Sequence, residues 1–393
     1  MACLGAAPFG KRATPGHPMN ILIIRLRLVG DVVLTTPAIR ALRRRFPDAR
    51  LTYLVERAAA PIVLENPHLD DVMIVERTRG WRRLRDDLRL ARTLRGRRFD
   101  VVIDFHGGPR SSWLTRATGA PRRIGYTIAG RGWMYTDRVH RPRELRPRHS
   151  VANQSDLLAP LGIPPLDPLT DPAEMAETAE ACARVERVLA AAGVAETAQL
   201  IVMHVSAGNP FRRWPADAFA ELAAALARRS PRRRILFTSG PSDTGAVAEI
   251  ARSAREALGA EAAGRIVVTE ELGLADLRVL VARAALYIGG DSGPLHLAST
   301  TRTPIVGIYG PTLRVRSEPW RDPLLITEGV EPRALPCRPC DQRVCAPGDF
   351  RCLRQITPGQ VATAAERALA RARGERRAHT AAPTPPATSA SGR

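Results

Sequence analysis

Lysine is almost missing from this chain. Lys11 is the only one, so arginine carries nearly all of the 59 basic charges. Aromatic residues are scarce at 5%, no nucleic-acid recognition motif is present, and the arginines are spread along the chain rather than gathered in one block; nucleic acid is not an expected partner. No apolar run approaches the roughly 20 residues of a membrane-spanning helix. Residues 1–18 hold Lys11 and Arg12 but no apolar core of signal-peptide length, and they read as a dispensable leader. The first apolar strand is not followed by G-x-G-x-x-G, which removes a dinucleotide-dependent oxidoreductase. These absences point to the cytoplasm.

What is present in excess is positive charge, 59 basic against 39 acidic residues and a net +20. Such a balance draws anionic partners, and an anionic membrane face or an acidic glycolipid suits it better than nucleic acid. At 393 residues with 45% hydrophobic content, two ordinary domains are expected.

The apolar pattern supports two α/β halves. Apolar runs at 20–25, 51–55, 72–75 and 99–104 alternate with helical stretches, one carrying Ala38, Leu42 and Phe46 on a single face, another an arginine-rich amphipathic segment over 81–98. Residues 122–147 mix arginines with Gly125, Tyr126, Trp133 and Tyr135 without clean periodicity, and read as loops with a short helix on the acceptor side. Helices are expected over 151–161 and 173–192, around a proline-rich linker. The pattern restarts with strands at 200–204, 234–238, 265–269, 284–288 and 304–309, and with helices at 216–229, 244–258 and 274–284. The fold class is therefore α/β, with two facing Rossmann-like, doubly wound parallel sheets. The division runs as a leader (1–18), an acceptor-side domain (19–163), a linker and helix (164–198), and a donor-binding domain with a cysteine cluster (199–356). A C-terminal helix (357–373) and a tail without fixed structure, rich in Ala, Thr, Pro and Ser (374–393), complete it.

One stretch organises the rest: Gly289, Gly290, Asp291, Ser292 and Gly293 stand between a buried strand and a helix start. Asp291 or Ser292 can cap that helix, the glycines leave room for a ligand, and a helix N-terminus with free amides is an anion site. A second strand-to-helix turn, at residues 28–32, carries Asp31. In doubly wound sheets ligands sit beyond the carboxyl ends of the strands, so both turns face one cleft.

Four motifs in order resemble the bacterial lipopolysaccharide heptosyltransferases, glycosyltransferase family 9: residues 25–37 (RLRLVGDVVLTTP), 212–215 (RRWP), 289–298 (GGDSGPLHLA) and 307–312 (GIYGPT). The similarity covers residues 19 to about 373. It implies the GT-B architecture and an inverting, metal-independent transfer of heptose from ADP-heptose to the lipopolysaccharide inner core, at the cytoplasmic face of the inner membrane, with the protein held there peripherally. Asp31 matches the family's catalytic aspartate, and an N-cap is its plainer role. Arg212 stands where the family usually has a lysine and would hold the diphosphate; a solvated basic pair with Arg213 is the alternative. Ser206, Ala207 and Gly208 would line the donor, Ala207 through its backbone. Asp291, Ser292 and Gly293 would meet the diphosphate and heptose, with Asp291 on sugar hydroxyls. His296 would reach a phosphate or simply pack. Leu272 would pack on adenine or in the core, and Asp243 would take the ribose or cap a helix. Cys337, Cys340, Cys345 and Cys352 have spacing that allows a structural zinc, with free thiols or a labile disulfide favoured. A related transferase with another sugar nucleotide or acceptor is the alternative, followed by a non-catalytic sugar-nucleotide or nucleic-acid binding protein.

Overall fold

The computed structural model describes residues 18–140, 148–240, 243–340 and 342–381. Two six-stranded parallel sheets form its frame. The first contains β1 (Asn20–Ile24), β2 (Arg50–Glu56), β3 (Asp71–Val75), β4 (Val101–Asp104), β5 (Arg122–Tyr126) and β6 (Asp137–Val139), in the order β3-β2-β1-β4-β5-β6. The second contains β7 (Gln199–His204), β8 (Arg233–Thr238), β9 (Ile266–Val268), β10 (Leu286–Gly290), β11 (Ile305–Ile308) and β12 (Thr327–Val330), in the order β12-β11-β10-β7-β8-β9. Counted from its own first strand, each sheet runs 3-2-1-4-5-6. In each the strand order reverses between the first and fourth strands, and a crevice opens there.

The central strands are apolar throughout because helices cover both faces. Ile21 and Ile23 of β1 enter one core cluster, whereas Leu22 and Ile24 enter another, as the two-residue pleat requires. Leu200 and Val202 of β7 join the same cluster as Ile21 and Ile23, so the largest apolar core draws on both lobes.

The lobes are also joined by polar links. After the first sheet the chain runs across its own lobe, where Asp171 takes both ends of the Arg44 guanidinium (2.6 and 3.1 Å) and Glu174 N–H donates to Thr36 Oγ1 (2.9 Å). Trp320 of the second lobe reaches this strap, its indole N–H donating to the Asp171 carbonyl at 2.8 Å, and its ring lies 4.7 Å from that of His149. The lobes meet most closely where the short helix Val29–Val33 packs on the short helix Gly293–Ala298.

Several expectations need correction. Residues 122–147 read as loops with a short helix; the described part, 122–140, holds a single helical turn at Gly132–Met134 but also two strands, β5 and β6, and 141–147 lie outside the described residues. The arginines of β5 are consumed locally, Arg122 on Asp137 (3.1 Å) and Arg123 on the Ala120 and Met134 carbonyls, so a strand is built from residues that look solvent-bound. β12, an edge strand of mixed polarity (TEGV), has one apolar residue, Val330, too few for a strand signal. The helix expected from residue 173 starts at Ala179, since Thr178 caps it by accepting from Ala181 N–H and residues 173–174 are engaged in the strap. The last helix, Pro358–Ala381, runs eight residues into the expected tail. The remainder of that tail, 382–393, and the leader up to residue 17 lie outside the described residues.

Candidate active site

Beyond the carboxyl end of β1 a four-residue loop, 25–28, leads into the helix Val29–Val33, with Asp31 in its first turn. Leu28 occupies the cap position, and Asp31 does not cap. Its carboxylate Oδ2 is instead paired with Arg25, whose guanidinium also donates to the carbonyl of Phe105, just past β4. Arg25 thus ties the ends of the two strands flanking the crevice and fixes one carboxylate oxygen. Asp31 remains about a third exposed, at 36%. Arg25 was not singled out from the sequence: in a chain this rich in arginine nothing local distinguishes it.

Across the interface lies the loop after β10. Asp291 is almost fully enclosed (1% exposed), with Ser292 and His296 buried beside it. Neither Asp291 nor Ser292 caps the following helix. Both Asp291 carboxylate oxygens, the Ser292 hydroxyl and His296 Nδ1 are buried without a hydrogen bond among the described residues. Asp291 Oδ2 lies 3.1 Å from Arg212 Nη1 as an ion pair, and the same nitrogen donates to the Asp291 carbonyl at 3.2 Å. Arg212 Nε donates to Gln342 Oε1 at 2.6 Å. Arg212 is therefore held by two groups at the cleft. Burial pushes the His296 pKa down, outweighing the upward pull of the Asp291 and Asp31 carboxylates, so the ring is held neutral.

The glycines at the end of β10 and in the loop after it, Gly289, Gly290 and Gly293, are also needed by the fold. A methyl group at Gly289 would meet the Tyr287 hydroxyl at 2.6 Å, one at Gly290 the Arg212 carbonyl at 3.1 Å, and one at Gly293 Val29 Cγ1 at 3.0 Å. They make room for the protein itself, Gly289 and Gly290 for their own lobe and Gly293 for the opposite one.

The loop after β7 is pinned by a buried chain of polar groups. His204 Nδ1 and Nε2 contact Thr238 Oγ1 and Ser206 Oγ, each at 3.0 Å, and Ser206 Oγ accepts from Gly240 N–H at 2.8 Å. The Ser206 hydroxyl is thus already engaged within the fold. Arg213 donates to the Ala207 carbonyl (2.9 Å) and pairs with Asp243 at 3.0 Å. Arg212 and Arg213 are therefore not a solvated pair, and the Asp243 carboxylate is engaged by a cation. Asp243 sits at the cap position of the helix Thr244–Leu258 without a side-chain cap bond. Gly208 is exposed and has open space around it. His204, Arg213 and Gln342 were not found from sequence. Leu272 lines a cavity of about 110 Å³ with Phe237, Thr238, Val268, Glu270 and Leu277, at the carboxyl ends of β8 and β9.

The four cysteines line a separate cavity of about 270 Å³ with Phe211, Pro311 and Phe350. All four thiols are free and half-buried; burial first, then the neighbouring cysteines, pushes the Cys352 thiol up. Among the described residues no group of three or more His, Cys, Asp or Glu side chains is placed to hold a metal ion.

Two 3-2-1-4-5-6 lobes that present their switch-point loops to each other define a two-domain enzyme of the GT-B type. The family model of glycosyltransferase family 9 (heptosyltransferase) matches residues 87–347. Lipopolysaccharide heptosyltransferase 3 of Escherichia coli K12 is 30% identical over 307 residues, covering 76% of this chain and 85% of that protein. Among solved structures, a family 9 glycosyl transferase from Veillonella parvula superposes with a TM-score of 0.77 at 24% identity, covering 90% of this chain and 98% of that one. The ADP-heptose lipopolysaccharide heptosyltransferase II of E. coli gives 0.71 at 20% identity, covering 90% and 100%. The chain belongs to glycosyltransferase family 9, the heptosyltransferases, and is a glycosyltransferase.

Proposed function

We propose that the protein moves heptose from ADP-heptose to the inner core of lipopolysaccharide with inversion at the anomeric carbon, at the cytoplasmic face of the inner membrane. The observation that carries this reading is the enclosed set formed by the Asp291 carboxylate, ion-paired with Arg212 but not hydrogen-bonded, and by the Ser292 hydroxyl and His296 Nδ1, which have no hydrogen bond among the described residues, next to the turn that bears Asp31. Buried polar groups without partners are costly unless a ligand completes them. A sugar diphosphate offers both the hydroxyls and the oxygens to do so.

In this mechanism Asp31 is the general base. Its Oδ2 is held by Arg25, and Oδ1 takes the proton of the acceptor hydroxyl. The acceptor oxygen bonds to the anomeric carbon from one face while the bond from that carbon to the β-phosphate oxygen breaks on the other. ADP departs with the electron pair, and Arg212 meets its growing negative charge. The Asp291 carboxylate holds Arg212 in place and accepts from sugar hydroxyls; neutral His296 donates one N–H toward a phosphate oxygen. Adenine enters the cavity lined by Leu272. The loop at Ser206, Ala207 and Gly208, together with Asp243 beyond β8, forms the wall of the nucleotide site, shaped by the bonds from His204 and Arg213 rather than by direct side-chain contact.

ADP release measured with ADP-heptose and truncated core acceptors, beside UDP- and GDP-sugars, tests the proposal. Acceptor-dependent release from ADP-heptose is expected. Faster turnover of another sugar nucleotide, or no acceptor dependence, would overturn it.

A further inference from the structure

A surface helix normally turns its apolar stripe inward. The helix Gly80–Gly96 has two stripes. One is buried: Leu94 and Leu90 pack with Leu22 and Val102, and Asp87 on the same side is held by Arg110 at 2.7 Å. The other faces water. Trp81 is 80% exposed, Leu84 49% and Leu88 41%, and at about 100° per residue the three fall within roughly 60° of arc. Arg85, Arg89 and Arg92 border this stripe, and Arg82, Arg89 and Arg92 have no carboxylate partner among the described residues. From Arg77 to Arg98 the chain carries ten arginines against two aspartates.

The helix follows β3, so its Trp81 end lies at the carboxyl end of the first sheet, the end that bears Asp31. A second exposed tryptophan, Trp133 (61%), sits on the Gly132–Met134 turn between β5 and β6. Both the helix and the turn pack on the helix Pro109–Ala117.

We infer that this face docks the protein on an anionic lipid surface. The indole of Trp81 lies at headgroup depth, Leu84 and Leu88 enter the acyl boundary, and the unpaired guanidiniums bind lipid phosphates. Nucleic acid would satisfy the arginines but leave the Trp-Leu stripe in water. The inference deepens the proposed function and rests on its lipid-linked acceptor: docking here holds the open end of the acceptor lobe against the surface from which that acceptor rises.

Flotation of the full chain with phosphatidylglycerol–phosphatidylcholine vesicles, against pure phosphatidylcholine vesicles, tests it. Binding is expected to require phosphatidylglycerol and to weaken with salt. The combined Arg82→Gln, Arg89→Gln and Arg92→Gln variant should bind about a hundredfold more weakly. Trp81→Ser with Leu84→Ser and Leu88→Ser should also lose binding, while kcat/KM on a lipid-free acceptor stays unchanged in both. Wild-type protein that ignores anionic vesicles, variants that float like wild type, or a chain that binds RNA and not vesicles would each overturn the inference. Flotation uses neither donor nor acceptor, so a protein that floats yet releases no ADP refutes the catalytic reading alone, and an active protein that never floats refutes only this one.

Discussion

A methyl group placed on Gly30 would stand 2.7 Å from Cδ2 of His296, closer than side-chain carbons approach one another. The same methyl would lie 3.3 Å from the Gly293 Cα. The turn that carries Asp31 and the loop that carries Asp291 thus touch backbone to ring, each through a glycine. Gly30→Ala must displace a buried imidazole or part the lobes. It is expected to cost about 1–3 kcal/mol of stability and to lower kcat more than it weakens ADP binding. Thermal melts together with single-turnover rates check this; an unchanged kcat would contradict the close-contact account.

Asp31→Asn keeps the shape of the side chain and removes its capacity to take a proton. Turnover should fall by about a thousandfold while ADP titrates as in wild type. Calorimetric ADP binding beside the coupled ADP-release rate separates the two. A variant that retains turnover removes Asp31 from the base role.

The Arg212–Asp291 pair, 3.1 Å apart, joins a carboxylate that is 1% exposed to a guanidinium that is 31% exposed. Arg212→Ala strips the buried carboxylate of its cation and the leaving diphosphate of its charge partner. A loss of about 2 kcal/mol in stability is expected, below the cost for a fully buried pair because solvent reaches the arginine, with kcat/KM reduced about a hundredfold. Asp291→Asn leaves the arginine charge unopposed, so ADP should bind more tightly while sugar transfer falls. Tighter ADP with intact transfer would show that Asp291 only holds Arg212 and never meets the sugar.

Two buried histidines set an acid limit. Burial lowers the pKa of His204 and of His149 to about 4, from 6.5. His149 Nδ1 accepts from Val151 N–H and its Nε2–H donates to the Glu318 carbonyl (2.9 Å), which demands a neutral ring. Above pH 6.5 neither folded nor unfolded chain carries these protons. Between 6.5 and 4 the unfolded chain binds them and the folded one does not, so stability falls as pH drops, by about 3 kcal/mol per histidine at the lower limit. Melting temperatures across this range should decline, and His204→Gln should make the decline shallower. A variant with the wild-type slope would mean that His204 is not the group taking up the proton.

The parts legible in the sequence are those where one local feature suffices. β1, β7 and β10 are continuous apolar runs because both their faces are covered, and they read as strands at once. β5 and β12 do not: the arginines of β5 are satisfied by Asp137 and nearby carbonyls, and β12 is a polar edge. Gly289, Gly290 and Gly293 read as space for a ligand, and what the sequence does not show is that a side chain there would meet Tyr287, the Arg212 backbone and Val29. Arg213 and His204 were passed over because their partners, Asp243 and Thr238, lie about thirty residues on and become neighbours only once β8 lies beside β7.

From the sequence alone came the alternation of buried strands with helices, and the two turns carrying Asp31 and Asp291. Both follow from short-range chemistry: apolar runs that need covering, and small or acidic residues where a strand ends. The sequence put both turns on one cleft; the tertiary structure alone decided that they touch directly, that Asp291 neutralises Arg212 across 79 residues, and that the Ser206 hydroxyl is spent on His204 and Gly240. Those facts depend on which strand lies next to which and on how two separate sheets close against each other. Long-range packing sets both, and no local spacing of residues records it.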